Sequence, residues 1–241
     1  MVKHHFISEF PVATSLTAAD YETLALNYLD TIFTTHNTAV VCGGTGLYIK
    51  ALCEGLDEMP ATDKAIAARA ENEYSRYGIQ WLQDMIRQED TLFYSQGEIQ
   101  NPARMLRALA FIRTTGTSII HYRTRTKKQR PFRMIKVGLE LPRETLYSRI
   151  NERVDLMMQQ GLLQEAERLF PLRHLKNLQT VGYAELFEYM EGKLTLPKAV
   201  NNIKQHTRNY AKRQVTWFKK EEGMHWLAAD RGDITEQILL L

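Results

Sequence analysis

Thr207 to Lys220, TRNYAKRQVTWFKK, places five Lys or Arg and no acid in one stretch, with Tyr210 and Trp217 set among them. Cations at that density make a surface suited to a polyanion and its phosphates. The other stretch suited to chemistry is Gly43, Gly44, Thr45 and Gly46, which follows a short apolar run and precedes helical spacing. A glycine loop there turns backbone N–H groups and a helix N-terminus toward a ligand, although a tight turn uses the same glycines. Lys50 does not complete a phosphate loop, because GxxxxGK[ST] occurs nowhere in the chain. His4 and His5 are adjacent, so in an extended segment they point to opposite sides and do not share a metal. The residues themselves predict no metal site.

These residues need elements to hold them. Pro197 opens the helix that carries the basic stretch, since a first-turn proline loses no intrahelical hydrogen bond. Val200, Ile203, Thr207, Tyr210, Gln214 and Trp217 recur on it at three- and four-residue steps, a stripe expected to pack inward. Lys204, Arg208, Lys212 and Lys219 fall on another face, within reach of phosphates, although a merely solvated basic face has the same pattern. Upstream, Asp20 to Thr35 is an amphipathic helix with Thr17 as its cap, and the apolar, β-branched run Thr38 to Cys42 reads as a buried strand ahead of the glycine loop. A second buried strand is expected at Met134 to Leu139. Between them, Asp63 to Tyr77, Ile79 to Gln88 and Pro102 to Thr115 have helical spacing, with Gly78 separating the first two. After the second strand come helices at Arg143 to Met158, Leu162 to Phe170 and Gly182 to Met190. The expected architecture is an α/β core from residues 1–53 and 134–241, interrupted by a helical insertion over 54–133. With two identifiable strands its parallel sheet is too small to stand alone.

Charge narrows the partner. Net charge is only +3, yet residues 1–98 sum to -8 and residues 99–241 to +11. Residues 99–139 hold ten Lys or Arg and no acid, and residues 192–220 hold eight and again none. Apolar residues interleave both windows, so they are charged faces of folded elements, and a nucleic acid is the leading partner. No apolar run is long enough to span a bilayer, so no membrane is expected. Cys42 and Cys53, the two cysteines, are too few for a disulfide framework and read as reduced thiols of a cytoplasmic protein.

In order along the chain, KHHF, then VVCGGTGLYIKAL with EGLDEMPATD, NPARMLRALAF, LYSRINERVDLMMQQGLLQEAERL, TVGYAELFEYMEG and TRNYAKRQVTWFKK together resemble one family, the tRNA dimethylallyltransferases or tRNA isopentenyltransferases. Six ordered blocks are far more specific than any one of them. The resemblance implies a P-loop-NTPase-like parallel-sheet core with a helical insertion that grips the anticodon arm, followed by C-terminal helices. It implies transfer of a dimethylallyl group from dimethylallyl pyrophosphate to N6 of the adenosine 3′ of the anticodon, with Mg2+ as the family's metal; a complete chain is expected to be a monomer. By the same resemblance Arg104, Arg107, Val181, Gly182, Tyr183 and the run containing Lys212, Arg213, Gln214, Thr216, Trp217 and Lys219 lie along the tRNA anticodon stem-loop, and Arg208 is added as a phosphate contact. Gly43, Gly44 and Gly46 form the substrate loop, Thr45 sits near the target adenosine, and Arg153 looks like the arginine that meets the pyrophosphate.

Two departures from the family pattern stand out. Family members begin with a strand, a Walker A loop and a second strand followed by the aspartate that takes the N6 proton, whereas this sequence begins at KHHF. The N-terminal strands, the base and the leaving-group cradle are therefore expected to be absent, leaving the 241-residue chain inactive alone or a non-catalytic tRNA-binding module. A P-loop kinase of small nucleotides shares the glycine loop but has no use for two basic windows. In addition, Ala67 stands where the family tends to carry an arginine, and Arg69 lies on another helical face.

Overall fold

The computed structural model describes residues 2–124 and 126–241. The elements run α1 (Ala18–Phe33), α2 (Gly46–Glu54), α3 (Lys64–Glu89), α4 (Thr91–Gln96), α5 (Pro102–Thr115), β1 (Lys136–Glu140), α6 (Arg143–Gln159), α7 (Leu162–Leu169), α8 (Tyr183–Met190), α9 (Leu196–Phe218), β2 (Met224–Ala228) and α10 (Ile234–Leu239). The chain divides into two compact units, Met1–Cys53 with Arg130–Leu241, and Glu54–Gln129.

In the first unit the helices form where their caps and spacing require. Thr17 and Asp20 make a reciprocal capping box at the start of α1, and Pro197 lies in the first turn of α9. Strands β1 and β2 pair in parallel with Lys136 opposite Met224 and Glu140 opposite Ala228, joined by the crossover that contains α6 to α9. Val154, Leu162, Ala166, Leu186, Phe187, Ala199 and Ile203 fuse α6 to α9 into one core. A smaller cluster of Ala25, Leu29 and Leu52 joins α1 to α2.

The expected strand at Thr38 to Cys42 is corrected. No ladder forms there among the described residues, and Val40 is 85% exposed. β-branched composition favours a strand only where a neighbour supplies the other half of the hydrogen bonds, and no described residue does so. The partner of β1 is instead β2, Met224–Ala228, a segment with no β-branched residue. The inward stripe on α9 also needs correction. Ile203 is buried, but Tyr210 and Trp217 are each 40% exposed, because the apolar core beneath the helix ends near its middle.

The second unit is built on α3, α4 and α5 around Ala70, Leu82, Ile86, Phe93, Met105, Leu109 and Phe111. Gly78 breaks α3 with φ 77° and ψ -169°, a conformation open to glycine and strained for any other residue. Asn101 caps α5, and Gly116 ends it in the left-handed conformation.

Candidate active site and nucleic-acid interface

In the first unit the glycine loop and the basic helix form one structure. The N–H groups of Tyr48 and Ile49 donate to the Thr45 carbonyl at 2.9 and 3.1 Å, so Thr45 launches α2 while its exposed side chain keeps no partner among the described residues. From α9, the Gln214 side-chain amide donates to the Gly44 carbonyl at 3.0 Å. A Cβ on Gly44 would lie 1.9 Å from Gln214 Nε2, and one on Gly46 would lie 2.4 Å from Trp217 Nε1. None of Gly43, Gly44 and Gly46 has a left-handed φ, so a turn requirement does not explain these glycines. For Gly44 and Gly46 the explanation is close approach to α9.

Along α9 the cations divide into two groups. Lys204 pairs with Asp155 of α6 at 2.6 Å, and Arg208 donates to Asn151 at 2.6 Å with its guanidinium over the Tyr147 ring. Both are committed to holding α9 on α6. Further along, Lys212, Arg213, Thr216 and Lys219 are exposed, and neither Lys212 nor Lys219 has a partner among the described residues. Arg213 lies over the Tyr210 ring, 5.6 Å from its centre. The helix thus ends in an open surface of cations and half-exposed aromatics beside the glycine loop. Spacing alone assigns Tyr210 to the inward stripe and carries no signal of this exposure.

Arg153 stands exposed on α6 without a partner among the described residues. Asn151 and Asp155, two residues to either side, turn to α9, and residues two apart on a helix do not share a face. At the start of α8, Val181 is exposed, Gly182 is buried with φ 106°, and the Tyr183 hydroxyl donates to Glu165 at 2.9 Å. Burial, reinforced by that carboxylate, pushes the Tyr183 phenol up to about 12.

Within the second unit Arg104 pairs with Glu98, and exposed Arg107 reaches the Met59 sulfur at 3.8 Å. Ala67 is half-buried on α3, and Arg69 is engaged with Glu73 at 3.2 Å. Arg113 grips Glu89 through two nitrogens at 2.7 and 2.8 Å and Glu73 through a third at 3.0 Å, which holds the Glu73 carboxyl below its usual range.

The acid-free windows are therefore not windows of free charge. Within the second unit Lys127 pairs with Glu54, and within the first Lys136 pairs with Glu221. The Arg130 side chain is 7% exposed, donating to Glu22 at 2.7 Å and to the Leu52 and Ala51 carbonyls at 2.8 Å each. Acids distant in sequence neutralise these cations, and among the described residues Lys212 and Lys219, toward the C-terminal end of α9, keep no partner.

Among the described residues no group of three or more His, Cys, Asp or Glu converges to hold a metal ion. The described donor set therefore offers no protein cage for magnesium. No described helix is long and apolar enough to cross a membrane.

The glycine loop, the α8 turn and the α9 surface lie within the span of one known family model. Residues 1–221 match the model described as IPP transferase. The chain is 40% identical over 230 residues to tRNA dimethylallyltransferase 1 of Phocaeicola vulgatus, covering 95% of this chain and 77% of that protein. It is 41% identical over 227 residues to tRNA dimethylallyltransferase of Christiangramia forsetii, covering 94% and 75%. Among solved structures, the tRNA isopentenylpyrophosphate transferase of Bacillus halodurans superposes with a TM-score of 0.67 at 30% identity, over 99% of this chain and 76% of that one. Likeness in sequence and in three-dimensional fold runs across nearly the whole chain, and on that ground the chain belongs to the IPP transferase family.

Proposed function

We propose that the chain acts in tRNA modification as a tRNA dimethylallyltransferase, moving the dimethylallyl group of dimethylallyl pyrophosphate to N6 of the adenosine 3′ of the anticodon. The observation that carries this reading is the seating of the glycine loop on α9 through Gln214 and Gly44. That contact puts Thr45 next to a surface suited to RNA, as an enzyme that alkylates a base requires.

A base inside a stacked loop offers no approach to its exocyclic amine, so it must be turned out and its flanking phosphates held. Lys212, Arg213, Thr216 and Lys219 supply that hold, and Tyr210 and Trp217 offer faces for unstacked bases. Arg104 and Arg107 of the second unit and the Val181–Tyr183 turn extend the tRNA contact. Arg208 serves through Asn151 and Tyr147, keeping α9 in place. In the transfer, N6 forms a bond to the dimethylallyl carbon that carries the pyrophosphate, that carbon–oxygen bond breaks so that pyrophosphate leaves, and N6 loses a proton. Arg153 meets the pyrophosphate with a fixed charge, and the Thr45 hydroxyl lies toward the adenosine. Proton acceptance is assigned to none of these residues. Magnesium binds typically through one or two carboxylates together with phosphates, and no step here passes through it. The protein works as a monomer in the cytoplasm, where its tRNA is.

Labelled dimethylallyl pyrophosphate and an anticodon stem-loop test the assignment, using the chain joined to the family's N-terminal phosphate-loop segment. Label on N6 of the adenosine 3′ of the anticodon is the expected product. Label on another base, or none with that segment in place, overturns it.

A further inference from the structure

Glu185, in the first turn of α8, is a carboxylate at 4% exposure with both oxygens engaged. Oε2 accepts the Gly182 N–H at 2.8 Å, and Oε1 lies 2.5 Å from His206 Nδ1 on α9. A buried carboxylate is costly unless its oxygens are satisfied. Here one oxygen serves the helix's own first turn and the other leaves the helix for its neighbour. An ionised carboxylate only accepts, so the proton of the second bond sits on Nδ1.

The turn is also tied by the Tyr183 hydroxyl, which donates to Glu165 at 2.9 Å, but that bond runs to α7 and not to α9. Gly182 takes φ 106° and ψ -60°, a backbone available to glycine alone without strain, and Ala184 N–H closes the turn onto the Thr180 carbonyl at 3.0 Å. Leu186 and Phe187 belong to the same apolar core as Ala199 and Ile203 of α9, but apolar packing is non-directional. Charge-assisted hydrogen bonds supply the missing direction. His206 lies on the helix that carries Lys212 and Arg213.

We propose that Glu185 and His206 are a positioning pair that fixes the Val181–Tyr183 turn against the basic helix, so that both address the same RNA. This rests on the RNA-binding reading above. Neither residue need touch RNA: the pair acts through Gly182 on one side and through α9 on the other.

The test measures anticodon stem-loop affinity across a salt series for the wild type, His206→Ala, His206→Gln, Glu185→Gln and the Glu185→Gln/His206→Ala double variant, all below their melting temperatures. Amide exchange at Gly182 is measured without RNA. His206→Ala should weaken binding about three- to tenfold, and the double variant should be no weaker than the poorer single, as for two residues acting as a unit. The salt slope should be unchanged, since no phosphate contact is removed, and His206→Gln should recover most of the loss because its amide can donate to Glu185. Gly182 exchange should be faster in His206→Ala. Wild-type affinity in His206→Ala, or a slope reduced by roughly one, overturns the proposal, the latter by making His206 a phosphate contact. Unchanged Gly182 exchange overturns it as well. A wild-type chain that binds no stem-loop, with faster Gly182 exchange in His206→Ala, overturns the RNA reading and keeps the coupling of turn to helix.

Discussion

Gln214 and Gly44 are 170 residues apart in the chain and 3.0 Å apart in space, joined by a hydrogen bond from the side-chain amide to the backbone carbonyl. Trp217, one turn further along α9, covers Gly46 so closely that a Cβ there would lie 2.4 Å from its indole nitrogen. The loop's shape is thus set by a helix from the far end of the sequence.

Substitution at the two glycines should separate cleanly. Gly46→Ala drives a methyl into a rigid indole and should cost about 1–3 kcal/mol of unfolding free energy, as overpacking does. Gly44→Ala meets the far end of the flexible Gln214 side chain, which can swing away, so its cost should stay below about 1 kcal/mol, the usual worth of a single hydrogen bond. Urea denaturation of both variants checks the order, and equal losses contradict it.

Removing Lys212 or Arg213 should each lower the slope of log RNA affinity against log salt by roughly one, the counterion yield of a phosphate contact. Lys204→Ala should leave that slope unchanged, because Lys204 already pairs with Asp155. A slope that moves for Lys204 and not for Lys212 reverses the division of α9.

Arg130→Ala removes a guanidinium 2.7 Å from buried Glu22 together with its hydrogen bonds to the Ala51 and Leu52 carbonyls, and should destabilise the first unit by about 1.5–3 kcal/mol. Replacing both residues with apolar ones, Arg130→Met with Glu22→Leu, should recover most of that loss, since the desolvation of both charges disappears together. A double variant as unstable as the single refutes the buried-pair account.

Tyr183 holds its proton to about 12, against an ordinary tyrosine value of 10.0. Because the folded pKa is the higher one, stability is fully present below the unfolded value and declines as pH rises from about 10 to about 12. Tyr183→Phe should remove one late-ionising phenol from the alkaline absorbance titration. Glu165→Gln should lower the Tyr183 value only in part, since burial is the larger cause.

The helices were largely legible because their signals are local. Thr17 with Asp20, Pro197, and Gly78 between two runs of helical spacing mark starts and breaks within a few residues. The sheet was not. Thr38 to Cys42 has strand composition but no described partner, while Met224–Ala228 has no β-branched residue and becomes a strand by pairing with Lys136–Glu140. Charge misled for a related reason. The acids that neutralise Arg113, Lys127, Arg130, Lys136 and Lys204 lie far away in sequence, and only folding brings them near. Most candidate site residues follow from the resemblance of ordered blocks to one family, but the Gln214–Gly44 contact and the exposure of Tyr210 depend on tertiary packing that no spacing encodes.

Arg130 also bears on how this chain can change. It donates to the Leu52 carbonyl, and the Lys128 N–H donates to the Glu54 carbonyl at 2.7 Å. The backbone that leaves for residues 54–129 and the backbone that returns from them therefore lie side by side, the first at the end of α2 and the second outside any helix or strand. Such a segment is portable: the entropy of joining its ends is already met by its own fold. Growth, loss or exchange at that junction can remodel whatever residues 54–129 engage, while the glycine loop and α9 continue to be built from their own contacts.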